Sequence, residues 1–223
     1  QQLIEIGRLI RDRLAGITVI YLDHLYEAEI YCCNRLKSLR MNQFPPPSCL
    51  ERKLKRAADN ARVEYSHTQA DAIRQAATAG MMIITGGPGT GKTTIVQGIL
   101  SLYEQMELQT VLCAPTGRAA KRLAEVTCQD ASTIHRLLGA GIDPHSGKLF
   151  FQKDESDPLK ADAVIVDEMS MVDIQLLHSL LRAIRPGTRL ILVGDPDQLP
   201  PVGPGFPFHD MLRSGILPAI RLT

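Results

Sequence analysis

Nine residues, Gly86-Gly87-Pro88-Gly89-Thr90-Gly91-Lys92-Thr93-Thr94, constrain this chain more than any others. They fit the spacing G-x-x-x-x-G-K-[ST], and their surroundings fit as well. Met81-Met82-Ile83-Ile84-Thr85 is a short apolar run of the kind that forms a buried strand, and Thr93 to Leu100 carries apolar residues at helical spacing. A strand, a glycine-rich turn and a helix in that order bring successive backbone N–H groups onto one anion. The positive end of the helix adds to their pull. The pattern therefore predicts a triphosphate-binding loop of Gly87, Pro88, Gly89, Thr90, Gly91, Lys92, Thr93 and Thr94. In it Lys92 reaches the β- and γ-phosphates of a nucleotide such as ATP, and the Thr93 hydroxyl ligates Mg²⁺.

A loop of this kind sits in an α/β architecture, and the chain from Tyr65 onward agrees. Apolar runs at 81–85, 109–114, 162–166, 188–193 and 218–222 read as strands. Helical spacing covers roughly 68–79, 92–106, 117–126, 131–138, 172–184 and 205–213. Alternation of this sort predicts a parallel sheet covered by helices on both faces. We expect one domain over 63–223, with a small hairpin inserted at about 139–155 around His145-Ser146-Gly147-Lys148. Residues 1–62 read as a mostly helical segment. Leu3, Ile6, Leu9, Ile10 and Leu14 predict a helix ended by Gly16, followed by a strand at 17–22 and a helix from Asp23 to Leu36. Phe44-Pro45-Pro46-Pro47-Ser48 is the expected linker, and the basic run Leu50 to Arg56 is a solvated helix face or a phosphate contact.

Bulk properties narrow the partners. The 223 residues carry a net charge of only +1, so any nucleic-acid surface is local rather than global. No apolar run approaches a membrane span, so no membrane partner is expected. The five cysteines show neither a C-x-x-C pair nor metal-ligand spacing, which points to free thiols in a reducing, cytoplasmic setting. Gln1-Gln2 opens the chain without the pattern of a leader.

Three further blocks carry chemistry. Ala163-Val164-Ile165-Val166-Asp167-Glu168 is an apolar strand ending in two carboxylates. Phosphoryl transfer needs an acidic partner for the metal and a base for the attacking water, roles that fit Asp167 and Glu168. Leu190 to Gly205 delivers another strand into a polar loop, where the amide of Gln198 can sense a γ-phosphate or position the water. Ala114-Pro115-Thr116-Gly117-Arg118-Ala119-Ala120-Lys121-Arg122-Leu123 runs from a strand into a helix. Arg118, Lys121 and Arg122 share a helical face there, suited to a nucleic-acid backbone or simply to solvent.

These blocks, with Ser132-Thr133-Ile134-His135-Arg136-Leu137-Leu138-Gly139 and Val166-Asp167-Glu168-Met169-Ser170-Met171-Val172-Asp173, occur in the order and spacing of superfamily 1 helicase motifs. From about Tyr65 to Thr223 the chain resembles the RecD-type helicases of bacteria. The resemblance implies a first RecA-like motor domain of an ATP-dependent DNA helicase. It implies that Gln69 reads the adenine and that Lys92, Asp167, Glu168 and Gln198 serve hydrolysis. Pro115, Thr116, Gly117, Arg118, Lys121, Thr133 and His135 would lie along single-stranded DNA, although His135 equally fits a histidine packed at a helix start. Relatives carry a hairpin that splits the duplex at a fork, matched here by Gly139 to Asp154 with Phe150 and Phe151 as its apolar residues. Translocation would run 5′ to 3′, with a nuclease complex as a further partner.

The resemblance also contains a departure. At Leu222-Thr223, relatives continue into an arginine-bearing motif and a second RecA-like domain of the same parent chain. The expectation is therefore a chain holding half of the ATP site and nearly inactive alone.

Overall fold

A computed structural model describes residues 2–14 and 16–222; Gln1, Ala15 and Thr223 lie outside the described residues. The first segment departs from expectation. A single helical turn, α1 (Gln2–Glu5), gives way to β1 (Leu9–Leu14), which pairs antiparallel with β2 (Ile17–Leu22) from Leu9↔Leu22 to Leu14↔Ile17. The helix predicted through Leu14 is thus a hairpin. Gly7, at φ +72°, leaves the helical region, and the β-branched run Ile17-Thr18-Val19-Ile20 needs a strand beside it to satisfy its backbone.

Helices α2 (Asp23–Met41) and α3 (Leu50–Ala61) follow. Ala28, Cys32, Leu36 and Leu39 bury one stripe of α2 in the same apolar cluster as the sheet, and Leu54 and Ala57 bury α3 in a second cluster. The proline stretch between them is tied down. The Phe44 N–H donates to Thr78 O at 2.8 Å, and the Arg189 guanidinium lies 3.7 Å above the Phe44 ring.

The remainder alternates as predicted: α4 (His67–Thr78), β3 (Met81–Gly86), α5 (Lys92–Glu104), β4 (Thr110–Ala114), α6 (Gly117–Thr127), β5 (Ala131–Thr133), α7 (Ile134–Leu137), β6 (Ala140–Ile142), β7 (Leu149–Phe151), β8 (Ala163–Val166), α8 (Ile174–Ala183), β9 (Arg189–Gly194), α9 (Pro207–Ser214) and β10 (Ala219–Leu222). Six parallel strands lie in the order β10-β3-β9-β8-β4-β5, and β6 pairs antiparallel with β7 in a separate hairpin. The period of two along each strand divides the core. Met81, Ile83, Val164, Val166, Leu190 and Leu192 face the cluster that includes α2, α8 and α9. Met82, Ile84, Ala163, Ile165, Ile191 and Val193 face the cluster of α3, α4, α5 and α6. Both faces are therefore covered, and the strand ends converge on one edge.

One predicted helix is corrected. Residues 131–138 split into β5 and the short α7, because Ala131-Ser132-Thr133 pairs with β4 and covers the sheet's outer strand. A 3-10 turn at Met169–Met171, absent from the sequence reading, follows the acidic pair.

Candidate nucleotide site and strand-facing edge

The glycine loop is built as its spacing requires. Gly89 and Gly91 sit at φ +79° and +90°, a region L side chains rarely adopt, and Gly91 caps α5. A Cβ at Gly91 would overlap the Gln69 side-chain nitrogen. Gln69 is itself held by a capping box at the start of α4. The Ser66 N–H donates to Gln69 Oε1 at 3.0 Å, and the Gln69 N–H donates to Ser66 Oγ at 3.3 Å. Thr90 Oγ1 donates to Gly87 O at 2.9 Å and closes the loop. Lys92 Nζ donates to the carbonyls of Gly86 at 2.5 Å and Gly87 at 2.8 Å, so its ammonium is held over the loop where an anion would lie.

Two distant segments meet this loop in one cleft. Pro88, Gly89, Gly91, Lys92 and Thr93 form one wall, Asp167 and Glu168 another, and Gln198 a third. The sheet brings them together: β3, β9 and β8 are adjacent and parallel, so the segments after them emerge side by side. Asp167 directly follows β8, and its N–H donates to Cys113 O at 2.9 Å. Burial raises its carboxyl above the ordinary range, while the Glu168 N–H and the charges of Lys92 and Arg122 oppose that rise. Glu168 is raised too, by burial and then by the Asp167 charge, against the same two cations. Its backbone sits at φ +53°, which costs a non-glycine residue about 1–2 kcal/mol. Such local strain collects at functional positions.

Gln198 is placed by a residue that the sequence reading passed over. Asp195 is only 1% exposed, its Oδ1 accepts the Asp197 N–H at 3.1 Å, and its carbonyl accepts the Gln198 N–H at 3.2 Å. The second omission is the role of Arg122. Grouped by spacing with Arg118 and Lys121, it lines the nucleotide cleft instead, together with Leu123 and Val126 of α6. Among the predicted loop residues Gly87, Thr90 and Thr94 do not line the cleft, and neither does Gln69; Gln69 and Thr90 shape the loop from behind.

The donors suit magnesium. Among the described residues no group of three or more histidine, cysteine or acidic side chains could hold a metal. Magnesium needs no such cage, since it binds through one or two protein oxygens and completes its shell with phosphate and water. The Thr93 hydroxyl and the Asp167 carboxylate, both on the cleft, are hard oxygen donors of that kind.

A second constellation occupies the far side of the same edge. Strands β4 and β5 pair with Ala114 opposite Thr133, so the segments starting at Pro115 and Thr133 leave the sheet side by side. Thr116 caps α6 and Thr133 caps α7, their hydroxyl oxygens accepting the N–H groups of Ala119 at 3.2 Å and Arg136 at 3.1 Å. Among the described residues neither hydroxyl has an acceptor for its own hydrogen. Gly117, Arg118 and Lys121 are exposed. His135 is half-buried, its ring centroid 5.8 Å from that of Phe151. Phe151 packs against the core, and the Phe150 ring lies over Gly141. The pair read as the hairpin's apolar residues therefore splits. Phe151 anchors, whereas Ile142, Leu149 and Phe150 are exposed.

A family model described as an AAA domain matches residues 69–204, more than half of the chain. The ATP-dependent RecD2 DNA helicase of Deinococcus radiodurans is 39% identical over 229 aligned residues, covering 99% of this chain and 31% of that protein. The RecBCD enzyme subunit RecD of Mycolicibacterium smegmatis is 41% identical over 168 residues, covering 65% of this chain and 30% of that subunit. The chain thus spans about a third of the length of the curated relatives it matches. In fold it is similar to a Pif1 helicase solved for DNA unwinding at forked double-stranded DNA, with a TM-score of 0.50, 23% identity, and coverage of 72% of this chain and 44% of that one. That likeness concerns the RecA-like arrangement of the sheet alone. The matched domain spans the phosphate loop, the acidic pair and the glutamine that share one cleft, and the chain belongs to the AAA domain family.

Proposed function

We propose that the chain is the nucleotide-hydrolysing motor portion of an ATP-dependent DNA helicase that moves 5′ to 3′ on single-stranded DNA. The convergence of Lys92, Asp167, Glu168 and Gln198 on one cleft carries this reading. Lys92 leaves its two loop carbonyls and takes the β- and γ-phosphates. Thr93 and Asp167 would hold magnesium, which neutralises phosphate charge. Glu168 accepts the proton of the attacking water, and Gln198 positions that water against the terminal phosphate. Gln69 supports the loop from beneath and offers its amide nitrogen toward the base.

Along the far side, the Thr116 and Thr133 hydroxyls and the Arg118 and Lys121 charges receive the phosphates of one strand. His135 steadies the hairpin through Phe151, and the exposed Ile142, Leu149 and Phe150 form the wedge at a duplex fork. A second RecA-like domain bearing arginines closes the nucleotide site in this reading, which is supported by relatives about three times as long. Assembly with a nuclease complex is a further proposal, supported by the likeness to a RecBCD subunit.

Steady-state ATP hydrolysis by this chain and by the full-length protein, with and without single-stranded DNA, tests the reading. The full-length protein should show DNA-stimulated turnover that Lys92→Ala abolishes, and the 223-residue chain should be nearly inert. Unwinding that survives Lys92→Ala would sink it.

A further inference from the structure

The cleft contains a cation that the loop motif does not account for. Arg122 lies on α6, one helical turn beyond Arg118, and lines the cleft with Lys92, Asp167 and Glu168. Its neighbour Lys121 has Glu125 at 3.9 Å, whereas Arg122 has no ion-pair partner within 4.0 Å among the described residues. The helix that carries it is firmly seated. Ala120 and Leu123 are buried, and the Gln97 side chain of α5 donates to Val126 O, joining α6 to the helix that begins at Lys92.

Sheet order says which part of a nucleotide Arg122 meets. Strand β4, which leads into α6, neighbours β8, which ends at Asp167, while β3 and its loop lie two strands beyond. In the reading proposed above the base end of a nucleotide lies by Gln69, on the β3 side. In that reading the terminal phosphate lies by Lys92 and the two carboxylates, the three groups with which Arg122 shares the cleft. A triphosphate brings several negative charges into a cleft already holding two carboxylates and, apart from Arg122, one cation. A planar guanidinium with its donors free suits phosphate oxygens at that point.

We infer that Arg122 is an in-chain reader of the terminal phosphate, so that α6 presents its first turn to the DNA strand and its second to the nucleotide. This rests on the reading of the cleft as an ATP site and assigns it a further residue. The single helix then links strand contact to occupancy of the terminal-phosphate position.

The test uses the full-length protein and two fluorescent nucleotides, ADP and a non-hydrolysable ATP analogue. Arg122→Ala should weaken the analogue by on the order of 10–100-fold, the worth of a charge-assisted bond, and leave ADP within about twofold. Arg122→Lys should recover part of the difference, and nucleotide-free affinity for single-stranded DNA should not change. Equal loss of both nucleotides would overturn the inference, making Arg122 a wall of the cleft. So would unchanged nucleotide affinities, whether or not DNA affinity fell; a fall would place Arg122 on the strand-facing side. Lys92→Ala run alongside separates the two levels: if it too binds both nucleotides normally, the nucleotide reading of the cleft fails, not merely the role of Arg122.

Discussion

Lys92 Nζ is bonded to the carbonyl of Gly86, the residue that ends β3, and to that of Gly87 in the loop the lysine serves. The ammonium is thus positioned and satisfied before any phosphate arrives. An arriving phosphate must out-compete two neutral carbonyls, which a charge-assisted contact does. Removing the ammonium should cost on the order of 10²-fold or more in turnover, the scale of losing a preorganised charge-stabilising donor. Because Lys92 is only half-buried, thermal stability of nucleotide-free Lys92→Ala should stay close to the parent. Parallel hydrolysis and melting measurements check both halves.

At Gly91 two restraints oppose a side chain. Its φ of +90° and the nearness of the Gln69 amide act together. Gly91→Ala should lower stability by about 1–2 kcal/mol from backbone conformation alone, and more from the overlap. The shift in melting temperature on adding ATP should also vanish, since that shift reports binding to the folded state. A variant that keeps the full ATP-dependent shift would mean that Gln69 can move aside.

The acidic pair makes stability and activity respond to pH in opposite directions. Asp167 and Glu168 are both held above the ordinary carboxyl range, chiefly by burial. The folded chain therefore binds these protons more tightly than the unfolded chain. This contribution favours folding at acid pH and is lost as pH rises from the ordinary range, about 4, through the raised folded values. In the proposed mechanism Glu168 must be ionised to accept the proton of the attacking water, so turnover should climb over that same acidic window. Asp167→Asn removes the buried charge and should raise the melting temperature, by about 2–4 °C for each kcal/mol recovered in a chain of this size, while abolishing turnover. A variant that melts lower than the parent would show that the carboxylate is stabilised by contacts beyond those described.

Phe44 and Arg189 join the proline stretch to the sheet. Arg189 is 6% exposed, its Nε lacks a hydrogen-bond partner, and its guanidinium rests on the Phe44 ring. A desolvated contact of this kind contributes about 2 kcal/mol. Phe44→Leu keeps the apolar volume but removes the ring face, so denaturant melts should show a loss of about 1–2 kcal/mol. Nucleotide affinity should be unaffected, because the pair lies outside the cleft.

The parts of the site legible beforehand were those whose chemistry is local. A phosphate loop needs glycines, a lysine and a hydroxyl within nine consecutive residues, and that density leaves a pattern. Likewise, a strand that ends in Asp167-Glu168 announces itself by contrast between apolar and acidic neighbours. The parallel strands were readable because burial on both faces leaves unbroken apolar runs. The predicted strand at 17–22 is present, whereas the helix predicted through Leu14 is a strand, because Ile10 and Leu14 share a face in either conformation and the partner strand further along the chain decides between them.

Sequence by itself determined the loop, the acidic pair, the order of the blocks and the doubly covered sheet, because each depends on residues near one another in the chain. Tertiary structure alone decided which long side chains turned toward the cleft and which stayed outside it. Arg118, Lys121 and Arg122 share one helical neighbourhood, yet only Arg122 lines the cleft, since the packing of α6 on β4 beside β8 selects it. The same holds for Phe150 and Phe151, consecutive and alike, of which one is exposed and one anchors. Alternation along a strand sends neighbours to opposite faces, and which face meets the core is settled by what folds against it.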